Sequence, residues 1–344
     1  MFLKIGLIGS GRAGMIHARN FISSVPQGRL IAICDAFEET AKAAAEELGL
    51  DSYETDYMKI INRDDIDAVV IATPTKYHCE IAIAAAKAKK HILCEKPMAM
   101  NVEECDLMIK AAEENGVNLQ IGFMRRFDQS FVSAKKLVDE GRIGDVVMVR
   151  SNTRGPSIPK PWMYDISKSN GPLAEVNSHD IDSLRWFTGS DFASVYAIGG
   201  NYRCPDAKKD FPDFYDNVIL SATFKNGCQG TIDGAQGCLY GYDARCEIIG
   251  TKGCIYIGNT RENFVTLCLE NKERHEEFIN SWRNLFAEAY HAEDCDFVKA
   301  IIEKRKPRVT GYDGKMAVLI VNAGNMSIKE KKIVDIDGDN LKVR

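Results

Sequence analysis

Two short stretches hold side chains able to steady or move a proton: Glu95-Lys96-Pro97, and Glu175-Val176-Asn177-Ser178-His179. A lysine ammonium stabilises negative charge developing on a hydroxyl oxygen, and histidine is the side chain best suited to take a proton near neutral pH. Glu175 and His179 are four residues apart, so on one helix both face the same side, where the carboxylate can orient the ring. Each also has a plain structural reading. Lysine is ordinarily a solvated surface residue, and the second stretch can be a helix start with a packed histidine.

A motif at the start of the chain shifts that balance. Leu3, Ile5, Leu7 and Ile8 form an apolar run that ends in Gly9, followed by Gly11, Gly14 and a helical spacing through Met15, Ile16 and Phe21. In Gly9-x-Gly11-x-x-Gly14 one glycine makes the turn, the next lets backbone approach a pyrophosphate, and the third allows close strand–helix packing. Free N–H groups of the helix start then face the phosphates, with Arg12 and Ala13 in the same loop. About 21 residues after Gly14, the run Leu30 to Cys34 ends in Asp35, whose carboxylate can accept hydrogen bonds from the adenosine ribose and would repel a 2′-phosphate. The expectation is a dinucleotide site preferring NAD. Arg12 leaves NADP as the lesser alternative, because it can reach a 2′-phosphate.

The elements that must position these residues alternate. Helical patterns over 38–48, 80–89 and 102–114 separate short apolar strands at 68–72, 91–94 and 118–122, which predicts a doubly wound parallel sheet of the Rossmann type. Ligands bind at the carboxyl ends of such strands. There the chain carries Ala72-Thr73-Pro74 with His78, and Glu95-Lys96, all expected along the cofactor crevice. Lys96 would stand at its nicotinamide end, with Pro97 holding it extended. His78, Cys79, Cys94 and Glu95 lack a recognised ligand spacing, so no metal is expected.

Beyond Phe123 a helix over 128–140 is followed mainly by strands, at 146–152, 195–200, 218–224, 229–233, 245–249 and 254–257, with Asn226-Gly227 as a hairpin turn. The reading is two domains, 1–123 and 124–344, the second α+β with a large, mostly antiparallel open sheet. Such a sheet leaves one face for a partner subunit. Two late helices, 281–304 and 313–329, are expected to follow, in a position to pack back on the first domain. Arg126, Asn152, Arg154, Trp162, Tyr164 and Tyr242 supply hydrogen-bonding and aromatic surface suited to a sugar-like substrate.

Forty-four basic against forty-nine acidic residues give a net charge of −5, which offers nucleic acid no electrostatic footing. No apolar run approaches the roughly 18 residues that span a bilayer, and the first strand leaves no room for a signal peptide. Eleven cysteines, an odd number without a Cys-x-x-Cys pair, read as reduced and mostly buried thiols of a cytoplasmic protein.

Together the glycine motif, Glu95-Lys96-Pro97, Gly122-Phe123-Met124-Arg125-Arg126-Phe127-Asp128 and His179-Asp180-Ile181-Asp182 resemble the glucose–fructose oxidoreductase / inositol dehydrogenase / rhizopine catabolism (Gfo/Idh/MocA) family, inositol 2-dehydrogenases in particular. Tyr240-Gly241-Tyr242-Asp243, Cys246-Glu247-Ile248, Trp282 with Tyr290, Val309-Thr310-Gly311 and Asp313-Gly314 extend the likeness along nearly the whole chain. It implies an NAD-dependent dehydrogenase of a cyclic polyol or sugar, working as a homodimer or homotetramer through the second sheet. Lys96 would bond the reacting hydroxyl, and His179 would remove its proton while hydride leaves the same carbon. Two departures touch the substrate. The family commonly has aspartate where this chain has Glu175, and the inositol enzymes tend to have asparagine where it has Gly155. Oxidation of a glycoside on its sugar ring (the 3-position), and an NAD-dependent glycosidase using transient oxidation, are the alternative activities. A non-catalytic NAD-sensing regulator is the remaining class, against which Lys96, Glu175 and His179 together speak.

Overall fold

A computed structural model describes residues 2–344. The chain forms two compact units, one of residues 1–128 with 287–319, the other of residues 129–286 with 320–344.

The first unit runs β1 (Leu3–Ile8), α1 (Gly14–Ser23), β2 (Gly28–Cys34), α2 (Glu38–Leu48), α3 (Tyr57–Ile61), β3 (Ala68–Ile71), α4 (His78–Lys87), β4 (His91–Cys94), α5 (Val102–Asn115) and β5 (Leu119–Ile121). All five strands are parallel, in the order β2-β1-β3-β4-β5, so the doubly wound sheet read from the sequence is present. Its strands are buried on both faces, with Ile5, Leu7, Val70 and Leu93 inaccessible to solvent, as helices on both sides of a parallel sheet require. Local signals set the helix ends: Asn101 accepts from the Glu104 N–H at the start of α5, and Gly49 and Gly116 end α2 and α5 in the left-handed conformation.

In the second unit α6 (Gln129–Asp139) and β6 (Val146–Gly155) lead to three short helices, α7 (Ile166–Ser169), α8 (Gly171–Glu175) and α9 (Ser178–Thr188). Then come β7 (Phe192–Gly200), α10 (Ala207–Asp210), β8 (Asn217–Phe224), β9 (Gln229–Gln236), β10 (Asp243–Gly250), β11 (Cys254–Ile257), the small pair β12 (Leu267–Cys268) and β13 (Arg274–His275), and α11 (Trp282–Leu285). α12 (Ala287–Ile302) belongs to the first unit, α13 (Gly311–Glu330) contains the boundary, and β14 (Val334–Asp337) and β15 (Asn340–Val343) close the chain.

The large sheet has the order β11-β10-β6-β9-β8-β7-β14-β15, antiparallel throughout except for β6 beside β9. Side chains alternate between its faces. Val149, Ser151 and Thr153 of β6 are buried on the face that α9 covers, and Ile198 of β7 and Ile219 of β8 stand exposed on the other. The single late helix expected over 281–304 is two: α11 ends at Leu285, and the backbone of Phe286 (φ −112°, ψ 18°) leaves the helical range before α12 begins. β14 and β15, too short and polar to signal themselves, extend the edge of the sheet beyond β7.

Candidate active site

The dinucleotide half of the site is assembled by close backbone contacts. Gly9 adopts φ +98°, and a Cβ there would lie 2.6 Å from the carbonyl of Ala72, the residue just after β3. A Cβ on Gly14 would lie 2.0 Å from the Gly9 carbonyl oxygen. Both positions are closed to any side chain by the protein itself. Gly11 is different, since a Cβ there meets nothing within 4 Å. No neighbour in the chain demands glycine at that point, whereas a pyrophosphate lying against the backbone does. α1 starts just beyond, at Ala13-Gly14, and no side chain of the N-cap residue caps its first N–H groups. Thr73 keeps a buried hydroxyl with no partner among the described residues.

Asp35 follows β2 as expected. Its Oδ2 accepts hydrogen bonds from the Ser10 backbone N–H at 2.9 Å and the Ser10 hydroxyl at 3.1 Å, and its Oδ1 accepts from the Phe37 N–H at 3.0 Å. These bonds hold the carboxylate at the edge of the glycine loop and leave it acceptor capacity for ribose hydroxyls. Arg12 is exposed. These residues fit NAD.

Glu95 and His78 do something the sequence did not announce. Glu95 is buried, with Oε2 accepting the Lys96 backbone N–H at 2.9 Å and Oε1 3.2 Å from His17 Nε2. Burial pushes its carboxyl up, but the His17 contacts and the Lys96 charge pull harder, and its pKa lies below the usual glutamate value. His78 is equally buried, its ring nitrogens 2.8 Å from the Thr73 carbonyl and 2.9 Å from the Pro97 carbonyl. Burial lowers its pKa. It ties the loop after β3 to the loop after β4, so Lys96 lies between a bonded N–H on its own residue and a bonded carbonyl on the next. The Lys96–Pro97 peptide is cis.

In the second unit, Glu175 and His179 do not share a helix. Glu175 ends α8, the chain breaks at Val176 (φ −111°, ψ −53°) and Asn177 (φ −92°, ψ 2°), and His179 is the second residue of α9. Buried polar bonds account for the break. Asp180 accepts the Ser151 hydroxyl at 2.5 Å on one oxygen and the Asn177 amide at 2.7 Å on the other, and Gly234 on β9 leaves room for Asn177, which a Cβ would meet at 2.0 Å. α9 is thereby fastened to the covered face of the sheet, and His179 sits there only 6% exposed.

The expected substrate residues divide by face. Asn152 and Arg154 alternate with Ser151 and Thr153, so they project from the open face, away from α9. There Asn152 donates to Asp243 at 3.0 Å, Arg154 bonds Asp233, and Arg245 bonds Asp243 at 2.7 Å. A groove of about 650 Å³ opens over this network, lined also by Arg150 and Tyr256. It lies over the open face of the sheet, opposite the face that carries α9 and His179. Tyr164 packs on Phe211 and Phe214 and donates to Asp206, a small core of its own. Arg126, in the first unit, pairs with Asp313 at 3.0 Å. Trp162 is half exposed on a short turn. Tyr242 and Gly155 do lie on the α9 face; a Cβ on Gly155 would make only ordinary contact, 3.8 Å from the Tyr242 ring.

With this geometry in place, comparison with known proteins decides the family. Residues 3–123 match an oxidoreductase family with an NAD-binding Rossmann fold, and residues 131–256 match the GFO/IDH/MocA C-terminal domain. A myo-inositol 2-dehydrogenase of Thermotoga maritima is 35% identical over 97% of this chain and 99% of its own length.

The chain belongs to the Gfo/Idh/MocA oxidoreductase family.

It is also 32% identical to the scyllo-inositol 2-dehydrogenase (NAD(+)) of Bacillus subtilis, over 97% of this chain and 96% of that one. Among solved structures, the scyllo-inositol dehydrogenase of Lactobacillus casei with bound NAD(H) and scyllo-inositol superposes with a TM-score of 0.89 at 29% identity, covering 97% of this chain and 99% of that one. As a member of this family the chain is an NAD(P)-dependent oxidoreductase acting on CH–OH groups, with NAD as its cofactor.

What sequence reasoning missed is the support behind the named residues: Ser10 on Asp35, His17 and Asp294 around Glu95, and Ser151 and Asn177 on Asp180. A polar residue on the buried face of a helix, such as His17 one turn after Gly14, was the available signal. Since Ser10 fixes Asp35, cofactor choice should depend on that carboxylate. Asp35→Ser is expected to relax the preference for NAD toward NADP, read as the ratio of kcat/KM for the two cofactors. An unchanged ratio would hand the choice to Arg12.

Proposed function

We propose that the protein oxidises a secondary hydroxyl of a cyclic polyol, an inositol first, by NAD-dependent hydride transfer. Its likeness over nearly the full chain to enzymes named for myo- and scyllo-inositol supports the substrate class. The observation that carries the chemistry is Lys96, held beside the dinucleotide loop at the carboxyl end of the parallel sheet by bonds on either side of its peptide.

In this reading Lys96 donates a hydrogen bond to the reacting hydroxyl oxygen, and its charge favours the alkoxide-like transition state. His179 takes the hydroxyl proton, its ring oriented with help from Glu175 at the end of α8. When bound, NAD supplies the hydride acceptor, C4 of its nicotinamide ring. Tyr242 and Trp162 contribute contact surface to the polyol. Gly155 favours a second reading on one observation, the lack of a side chain at a position where even a Cβ would touch the Tyr242 ring: leaving it out frees space for a glycoside oxidised on its sugar ring.

Self-association through the open sheet face belongs to the same proposal. Ile198 is 58% and Ile219 51% exposed there, with Tyr196 beside them.

Incubation with NAD and myo- or scyllo-inositol should give steady NADH accumulation, and Lys96→Ala should lower turnover by about 100-fold or more with NADH affinity little changed. Wild-type turnover in that variant would remove Lys96 from the mechanism, and hydrolysis of an aryl glycoside without net NADH would replace oxidation with glycosidase chemistry. Light scattering should return the mass of two or four chains; the mass of one would refute association through the sheet.

A further inference from the structure

His17 lies on the buried face of α1 and has no solvent exposure. Its Nδ1 is 2.6 Å from Asp294 Oδ1 on α12, and its Nε2 is 3.2 Å from Glu95 Oε1. The second oxygen of Asp294 accepts from the Asn20 amide at 2.8 Å, and the second oxygen of Glu95 accepts the Lys96 N–H. The result is an unbroken buried chain, Asn20 to Asp294 to His17 to Glu95 to the Lys96 backbone, drawn from α1, α12 and the loop after β4. Tyr290 closes one side, its ring edge-on to His17 at 5.4 Å. Gly122 closes another, where a Cβ would sit 3.2 Å from Glu95 Oε2.

We propose that His17 is a positioning residue for Lys96: clamped between two carboxylates, it holds Glu95 against the Lys96 N–H and so fixes where the lysine side chain begins. The inference rests on the catalytic reading of Lys96 given above.

Two facing carboxylates need two N–H donors, which only a protonated ring provides. Burial works against that charge, but Asp294 and Glu95 outweigh it and raise the His17 pKa well above its ordinary value. The neighbouring Glu293 does not compete. Both its carboxyl oxygens are buried without a partner among the described residues, and burial, with the charges of Glu95, Asp294 and Asp296, raises its pKa well above the ordinary glutamate value against the opposing pull of His17. A tie between α12 and α1 would need only His17 and Asp294. The continuation through Glu95 into the main chain of Lys96 is what points to positioning, because a small displacement of a reacting group lowers rate out of proportion to its effect on binding.

The test uses the full-length protein carrying His17→Gln, with Asp294→Asn as a second variant that keeps side-chain volume if the first does not fold. Two readouts are taken: kcat and KM for NAD with myo-inositol, and the rate at which acetic anhydride acylates Lys96 relative to the exposed Lys42, followed by peptide mass spectrometry without substrate. His17→Gln is expected to lower kcat by about 100-fold with KM for NAD nearly unchanged, and to alter the Lys96 to Lys42 labelling ratio several-fold; Asp294→Asn should move both in the same direction by less. A folded variant with an unchanged labelling ratio, whether or not its activity falls, overturns the proposal. If Lys96→Ala retains activity while His17→Gln still shifts the labelling ratio, the catalytic reading of Lys96 fails and the coupling stands.

Discussion

Taking a carboxylate out of water costs several kcal/mol unless charge and hydrogen bonds replace the solvent. In the first unit that requirement falls on Glu95, which is buried at the carboxyl end of β4 immediately before Lys96, the lysine we propose acts on the substrate. It is met from two directions, by the Lys96 N–H and by His17, and His17 in turn needs Asp294. Asp294 lies on α12, late in the chain, so the dinucleotide-binding unit is completed only when residues 287–319 return to it. The NAD-binding family match that ends at residue 123 therefore stops short of Asp294, whose carboxylate completes the bonds around His17.

The second unit solves the corresponding problem on a sheet. Period-two alternation puts Ser151 on the face that must anchor α9 and Asn152 and Arg154 on the face that must satisfy itself. Asp180 holds the helix to the sheet through Ser151 and braces the helix's own N-cap, Asn177, with its other oxygen, while Arg154, Asp233, Asp243 and Arg245 neutralise one another on the other side. Polar residues close together in the sequence therefore have unrelated jobs. Gly234 and Gly14 show the same economy of space, each being the residue that lets a neighbouring backbone or amide approach.

Much of this was legible in the sequence because it depends on local pattern. Strands from β1 to β5 were visible as short apolar runs, α2 and α5 as periodic segments with glycine ends, and Gly9, Gly11, Gly14 and Asp35 as a spacing with one mechanical explanation. The break between Glu175 and His179 was not, because it depends on the buried partners that Asp180 and Asn177 find in the folded unit. Nor was the face on which Asn152 and Arg154 stand, which depends on which side of the sheet is covered. His17 and Asp294 are almost the length of the chain apart, and no local pattern links them.

The central claim is that one ammonium and one imidazole act on the same hydroxyl of a cyclic polyol. A crystal structure of the protein with NADH and the polyol it oxidises tests it most directly. The account predicts the reacting oxygen within hydrogen-bonding distance of both Lys96 Nζ and a ring nitrogen of His179, with its carbon facing C4 of the nicotinamide. A polyol bound in that crevice with either side chain out of reach of the oxygen would contradict it.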